Sequence, residues 1–231
     1  MRALLIAMMG MLCASLAHAQ MQEVVVTANR VNGEDYSRMP AVTITKQADF
    51  LVRSVRLNND TRSDAARTEE LYQTIKDLLG AAAKQSGFGL AYGEDFLIPI
   101  TAADYKIPLN PEGKRPDASY VDIYIKIALG SQANVSEVIT KLNGFIKNAK
   151  LTGRTEIKPQ DDLALSLVNP ERFRYEIIQK ISQDATQLRA AVSKGCKVGI
   201  EGLENRVMWQ RSDISELTLY IPHRVQLTDC E

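Results

Sequence analysis

Hydrophobic and polar residues alternate strictly along residues 120–129, and this is the clearest strand pattern in the chain. One face of such a strand carries Val121, Ile123, Ile125, Ile127 and Leu129, and the other carries Tyr120, Asp122, Tyr124, Lys126 and Ala128. A period of two is typical of a strand with one face on a core and the other in water. The pattern therefore predicts an antiparallel or mixed sheet that is covered on one side.

Three segments instead have apolar residues at intervals of three and four, which is the spacing of an amphipathic helix. The first begins where Thr61 and Asp64 fit a capping pattern, and the second covers residues 135–146. The third and longest has Asn169 as its predicted N-cap and ends before Gly195. Its apolar stripe consists of Phe173, Ile177, Ile181, Ala185, Leu188 and Val192. We expect this helix to cover the strands that follow it.

Strand-like segments separate and follow these helices. They are residues 41–57, 88–92, 96–100, 153–158, 163–168, 196–202, 206–211 and 216–222. Residues 102–117 contain three prolines and a glycine and are predicted to form a long loop. The order is strand, helix and two strands, the same again, and then a long helix with three strands. This order predicts an α+β fold in which helices cover antiparallel or mixed sheets.

The first 19 residues have the features of a signal peptide. Arg2 precedes an apolar run, and Ala17, His18 and Ala19 form a small-x-small cleavage site. The run is about 14 residues long, shorter than the roughly 20 that a membrane-spanning helix needs. We therefore expect a signal peptide at 1–19, a flexible segment at 20–40 and one α+β domain at 41–231. The expected location is the periplasm of a Gram-negative bacterium.

The charge balance argues against nucleic-acid binding, and the cysteine content predicts a disulfide. Lys plus Arg and Asp plus Glu both number 28, so no overall field attracts nucleic acid. Removal of the signal peptide leaves Cys196 and Cys230, and two cysteines in an oxidising compartment predict one disulfide. Two free thiols are the alternative.

Residue types that carry catalysis are scarce in the mature chain. His223 is its one histidine, no Cys-x-x-Cys or His-x-x-x-His spacing occurs, and a Gly-x-Ser-x-Gly elbow is absent. We therefore expect no catalytic, cofactor or metal site. The alternatives are an envelope hydrolase that uses His223 and a small-ligand carrier with a pocket between helices and sheet.

Three aromatic residues are candidates for a protein interface. Trp209, the one tryptophan, is expected to be half-buried against the long helix or to be an anchor in a subunit interface. Tyr120 and Tyr124 share the polar face of the alternating strand and form a second candidate surface.

A short segment near the N-terminus resembles the TonB box of outer-membrane TonB-dependent receptors. It consists of Glu23, Val24, Val25, Val26, Thr27 and Ala28. Such boxes add an extended strand to the sheet edge of a partner. The remaining chain is too short for the barrel of a receptor. The hexapeptide is therefore an ordinary first strand or tail, or it belongs to an adaptor that docks to TonB or a similar partner.

The larger part of the mature chain resembles the SIMPL-domain family of periplasmic proteins. Ala48, Asp49 and Phe50 match the start of that family's early strand, and residues 63–66 match the opening of its Ala-rich helix. Residues 120–150 and 163–194 match its later strand–helix pairs. The resemblance implies an exported protein without established catalytic residues, with ring-like or channel-like oligomers and links to envelope stress. The expected function is accordingly non-enzymatic, through protein–protein contacts or homo-oligomeric assembly.

Overall fold

The structure is a computed structural model that describes residues 22–26, 39–94, 96–113, 115–131, 133–160, 162–192 and 195–230. Within these ranges the chain forms β1 Glu23–Val26, β2 Ile44–Gln47, β3 Phe50–Asn59, α1 Asp64–Ala83, β4 Phe88–Tyr92, β5 Phe96–Pro99, β6 Asn110–Glu112, β7 Arg115–Ala128, α2 Val135–Lys147, β8 Glu156–Pro159, β9 Ala164–Val168, α3 Arg174–Val192, β10 Lys197–Glu201, β11 Met208–Arg211, β12 Glu216–Tyr220 and β13 Arg224–Thr228. The predicted α+β class is confirmed. The predicted signal peptide lies outside the described residues and stays a prediction.

The main sheet closes on itself. Its strand order is β6-β7-β4-β5-β1-β9-β3-β8, and a further pairing joins β7 to β3. The strands β7, β4, β5, β1, β9 and β3 therefore form an antiparallel, six-stranded barrel, and β6 and β8 extend it at the sides. The longest ladder pairs Phe50 with Ala128 and continues to Asn59 with Ser119. A smaller sheet, β11-β12-β2, and a two-stranded ribbon, β10-β13, complete the fold.

The two successive strand–helix–strand–strand segments exchange strands in the barrel. The first contributes β3, α1, β4 and β5, and the second contributes β7, α2, β8 and β9. Strand β4 of the first segment pairs with β7 of the second, while β8 and β9 of the second pair with β3 of the first. Neither segment could therefore complete its own sheet without the other.

The main core lies between the outer surface of the barrel and the helices. Ile123 and Ile125 on β7 are fully buried there, as the alternation predicted. Helix α1 packs on β3, β4 and β7, and α2 packs on β3 and β7. The core residues of the helices are Leu71, Ile75, Leu78, Val138, Leu142, Ile177 and Ile181.

The prediction that the opposite face of β7 lies in water is wrong for most of the strand. Tyr120, Asp122 and Tyr124 are half-buried and Lys126 is buried, while Ala128 is exposed. Barrel closure turns this face inward, where Tyr124 packs against a small second core of Val52, Ala91, Leu97 and Ala164. An alternating pattern has the same appearance in an open sheet and in a closed barrel, so the sequence could not separate the two.

The helix starts differ from their predictions. The N-cap of α1 is Ser63, whose hydroxyl accepts from the Ala66 N–H, while the Thr61 hydroxyl donates to Glu70. Asn169 has a left-handed backbone (φ 49°) and makes no side-chain cap, and a 3-10 turn, Pro170–Phe173, precedes α3. The stripe of α3 is buried at Ile177, Ile181 and Ala185 but not at Leu188 and Val192.

Two strands went unpredicted. Strand β6 lies in the expected long loop, and β13 is a fourth strand after α3. β13 pairs with β10 from Lys197 opposite Thr228 to Glu201 opposite Arg224. This pairing brings Cys230 to Cys196, and the two sulfurs are bonded. The predicted disulfide is therefore present.

Candidate binding sites

A buried ion pair lies inside the barrel. The Lys126 ammonium donates a hydrogen bond to one carboxylate oxygen of Glu23, and the Ser166 hydroxyl donates to the other at 2.7 Å. The same ammonium lies 4.2 Å from the centroid of the Phe50 ring. Lys126 lies between Val52 and Gly89 in the barrel, and Ser166 lies opposite Val25, which is on the same face of β1 as Glu23. The ion pair therefore joins β1 to β7, and the hydrogen bond from Ser166 joins β1 to β9.

The strand that contains Glu23 is paired along both edges. Glu23 lies opposite Leu97 of β5 and Val168 of β9, and Val26 lies opposite Leu165. Residues 23–26 therefore form an internal strand rather than part of a flexible segment. Thr27 and Ala28, the rest of the TonB-box-like hexapeptide, lie outside the described residues. Addition of this strand to a partner's sheet would require it to leave the barrel first.

One mouth of the barrel is a polar cavity of about 410 Å³. Arg56 donates two hydrogen bonds to the Asp122 carboxylate, at 2.8 and 2.7 Å, and these bonds raise the pKa of its guanidinium. The guanidinium lies 4.0 Å from the centroid of the Tyr120 ring, so this half-buried tyrosine is engaged within the chain. Tyr124 lines the cavity from β7. Arg56 and Asp122 in the lining are therefore paired with each other, while Tyr120 contacts the site through Arg56.

An apolar cleft of about 420 Å³ lies between β5 and β11. It contains Trp209, which is half-buried and packs against the main core. Phe96 enters from β5 and is 40% exposed. It lies opposite Val24 in the register. The remaining apolar walls are Val24, Val207 and Pro170. We call this set of residues the Trp209 cleft.

The polar rim of the Trp209 cleft is held by bonds to the backbone. Arg174 donates to the carbonyls of Leu203 and Asn205, and the Glu171 carboxylate accepts from the Val207 N–H at 2.9 Å. The start of α3 therefore fixes the segment before β11. The sequence singled out Trp209 but not Phe96, since nothing in a strand pattern shows which outer positions a neighbouring element leaves uncovered.

Strand β5 explains why the cleft is open. The outward face of β1 is covered by β11, and that of β4 is covered by α1. Phe96 and Ile98 on β5 remain 40% exposed each. Within the part of the chain that the structure describes, the outer face of β5 is thus partly open to solvent.

His223 is half-buried and its Nδ1 donates to the Ile221 carbonyl at 2.7 Å. In the described ranges, no group of three or more His, Cys, Asp and Glu side chains could hold a metal ion. None of the helices that the structure describes is both long and apolar enough to cross a membrane.

Comparison with known proteins gives no family for this chain. No protein-family model matches it, and no curated protein does. Among solved structures, the chain was aligned with an uncharacterized conserved protein from Listeria innocua at 7% identity, over 83% of this chain and 97% of that one. The TM-score of 0.17 is too low for this alignment to inform the fold or the function.

Proposed function

We propose that this chain is an exported, non-enzymatic protein of the bacterial cell envelope that acts through protein–protein contacts as a homo-oligomer. The signal-peptide pattern and the Cys196–Cys230 disulfide support an oxidising compartment such as the periplasm. The resemblance to SIMPL-domain proteins supports an assembly and a link to envelope stress.

The observation that carries the proposal is the Trp209 cleft together with the partly open face of β5. Tryptophan and phenylalanine in a partly open apolar pocket are typical anchors of protein interfaces. Phe96 and Ile98 lie side by side on the outer surface of a strand whose neighbours are covered, so a partner could bury both at once. Neighbouring exposed apolar side chains beside a cleft are candidates for an interaction site.

A second copy of the chain is the proposed partner. The full sequence has 28 basic and 28 acidic residues, and Arg2 is the one charged residue of the predicted signal peptide, so two mature copies carry almost no net charge and repel each other little. Two charged side chains of the cleft, Arg174 and Glu171, are bonded within the chain, while the third, Arg206, is exposed at its rim.

Sedimentation velocity on cleft variants tests this interface. The double variant Phe96→Glu and Ile98→Glu places two charges on this face of β5 and is expected to reduce the oligomer to monomers. Ile214→Glu is the matched control, because Ile214 is a 45% exposed apolar residue in the turn between β11 and β12. Its variant should keep the wild-type sedimentation coefficient. Equal sedimentation of wild type and double variant would contradict the proposed interface.

A further inference from the structure

An apolar groove separate from the Trp209 cleft lies between the last two turns of α1 and strand β4. Its volume is about 510 Å³, within the range of small-molecule sites. Its apolar walls are Leu79, Ala82, Ala83, Phe88, Leu90, Pro99, Ile100 and Ala102. An apolar chain could therefore lie along this groove.

Gly80 leaves one wall of the groove open. It lies inside α1, where glycine is less favourable than alanine. A Cβ at this position would meet no heavy atom within 4 Å, so no neighbour requires the glycine. The missing side chain instead leaves space in the groove. Gly89, on the opposite wall, differs because a Cβ there would lie 3.3 Å from Lys126 Cε.

The charged residues that line the groove are both lysines. Lys76 lines it one turn before Gly80, and its ammonium lies 5.3 Å from the centroid of the Tyr105 ring. The adjacent carboxylate, Asp77, is bonded to Lys150 at 2.9 Å. The second cation of the lining, Lys126, is already paired with Glu23. Lys76 is thus the cation of the described lining that is placed to meet an anionic group.

We propose that this groove binds a free, single-chain aliphatic carboxylate, with its alkyl chain along the apolar walls and its carboxylate near Lys76. Charge complementarity at Lys76 favours an anionic head group, and the apolar walls and the volume of about 510 Å³ suit one alkyl chain. The groove shares no lining residue with the Trp209 cleft, although Pro99 on its wall lies next to Ile98 of the proposed interface. The proposal does not rest on the oligomer.

Isothermal titration of octanoate into the full mature chain tests the site. Wild type should bind one equivalent saturably. Gly80→Leu should weaken binding at least tenfold, because leucine fills the groove while it improves the helix. Gly144→Leu is the matched control. Gly144 is also a helix-interior glycine without a neighbour within 4 Å, but it lies on α2 and lines a different cavity. This control should bind octanoate as wild type does.

A second experiment tests the proposed contact between Lys76 and the carboxylate. Lys76→Ala should weaken octanoate binding roughly two- to fivefold, as expected for an exposed ion pair, and should leave the binding of 1-octanol unchanged. Thermal melts should show Gly80→Leu to be folded and at least as stable as wild type. Undetectable octanoate binding to wild type, or equal binding to wild type and Gly80→Leu, would overturn the proposal. Binding to phospholipid vesicles without binding to free octanoate would overturn it as well.

Discussion

Glu23 and Lys126 show how one pair of side chains can hold a barrel together. Both are buried, and their partners are each other, Ser166 and the ring of Phe50. Taking two charges out of water costs several kcal/mol per ion, and a pair repays this only while both partners are present. The loss of one partner should therefore be far more costly than the loss of both.

Glu23→Gln should destabilise the protein by about 3–5 kcal/mol, since it leaves the Lys126 charge buried and unpaired. Replacement of both residues, Glu23→Gln with Lys126→Met, should restore most of that loss. Urea unfolding followed by circular dichroism measures both values. A double variant as unstable as the single one would mean that the charges do not depend on each other.

Glu70 is a second residue that ties distant segments together. Its carboxylate accepts from the Asn59 amide at 2.7 Å, the Arg154 N–H at 3.0 Å and the Thr61 hydroxyl at 2.8 Å. Gly153 has φ +59°, and a Cβ there would lie 2.0 Å from Glu70 Cδ. The loop before β8 can approach the carboxylate this closely only with glycine at that position.

These hydrogen bonds, the one from Asn59 first, lower the pKa of Glu70 below its ordinary value of 4.5. A lowered folded pKa gives stability that is present above pH 4.5 and is lost as the pH falls through the folded pKa. The melting temperature should therefore fall below this pH, and Glu70→Gln should reduce the fall. Glu69→Gln, at the exposed neighbouring position, is the control and should fall as wild type does. Identical pH profiles for wild type and Glu70→Gln would exclude this role.

Helix α3 extends beyond the core against which its first turns pack. Ile177, Ile181 and Ala185 are buried, but one turn later Leu188 is 40% exposed and Val192 is 61% exposed. The same apolar stripe thus changes from core to surface along one helix. The spacing of a stripe shows which side of a helix is apolar, but not how much of that side neighbouring elements bury.

This difference predicts unequal effects along the stripe. Ile181→Ala should cost about 2–5 kcal/mol, as expected for a buried aliphatic residue. Leu188→Ala should change the free energy of unfolding by at most about 0.5 kcal/mol. Urea denaturation of the two variants tests the contrast, and similar losses at both positions would show that the helix end packs in the core.

The elements that the sequence predicted well are those with long local patterns. Helices α1 and α2, the buried face of β7 and the β4–β5 pair follow from spacing alone. Barrel closure does not, because β1 joins β5 and β9, which lie far along the chain. Strand β13 is five residues long, and Val225 and Leu227 alternate with polar residues in it, so the sequence carried a short signal that the prediction missed. The sequence predicted the disulfide, but the ribbon that positions it was found only in the structure.

In the candidate sites too, single residues could be predicted from the sequence, but their distant neighbours could not. Trp209 is identifiable from the sequence as the one tryptophan, but its neighbour in the cleft, Phe96, lies more than a hundred residues before it. Gly80 is visible in the sequence as a glycine inside a predicted helix, a position that glycine usually occupies for a packing or functional reason. Whether the space beside it is a groove or is filled by another side chain depends on β4 and the segment after β5.

The fold of the whole molecule depends on whether β1 is a permanent strand of the barrel or a segment that docks to a partner. Deletion of residues 20–26 should open the barrel between β5 and β9 and leave Lys126 without its carboxylate, so cooperative thermal unfolding should be lost. Deletion of residues 20 and 21 alone is the control and should preserve it. A fully folded variant without β1 would contradict the structural role and favour the TonB-docking alternative.

The central claim, an envelope protein that works as an assembly of identical copies, is tested most directly by native mass spectrometry of the protein purified from periplasm. We predict a mature mass beginning after Ala19, one intact disulfide and a single symmetric oligomer. A bare monomer at micromolar concentration would contradict the account.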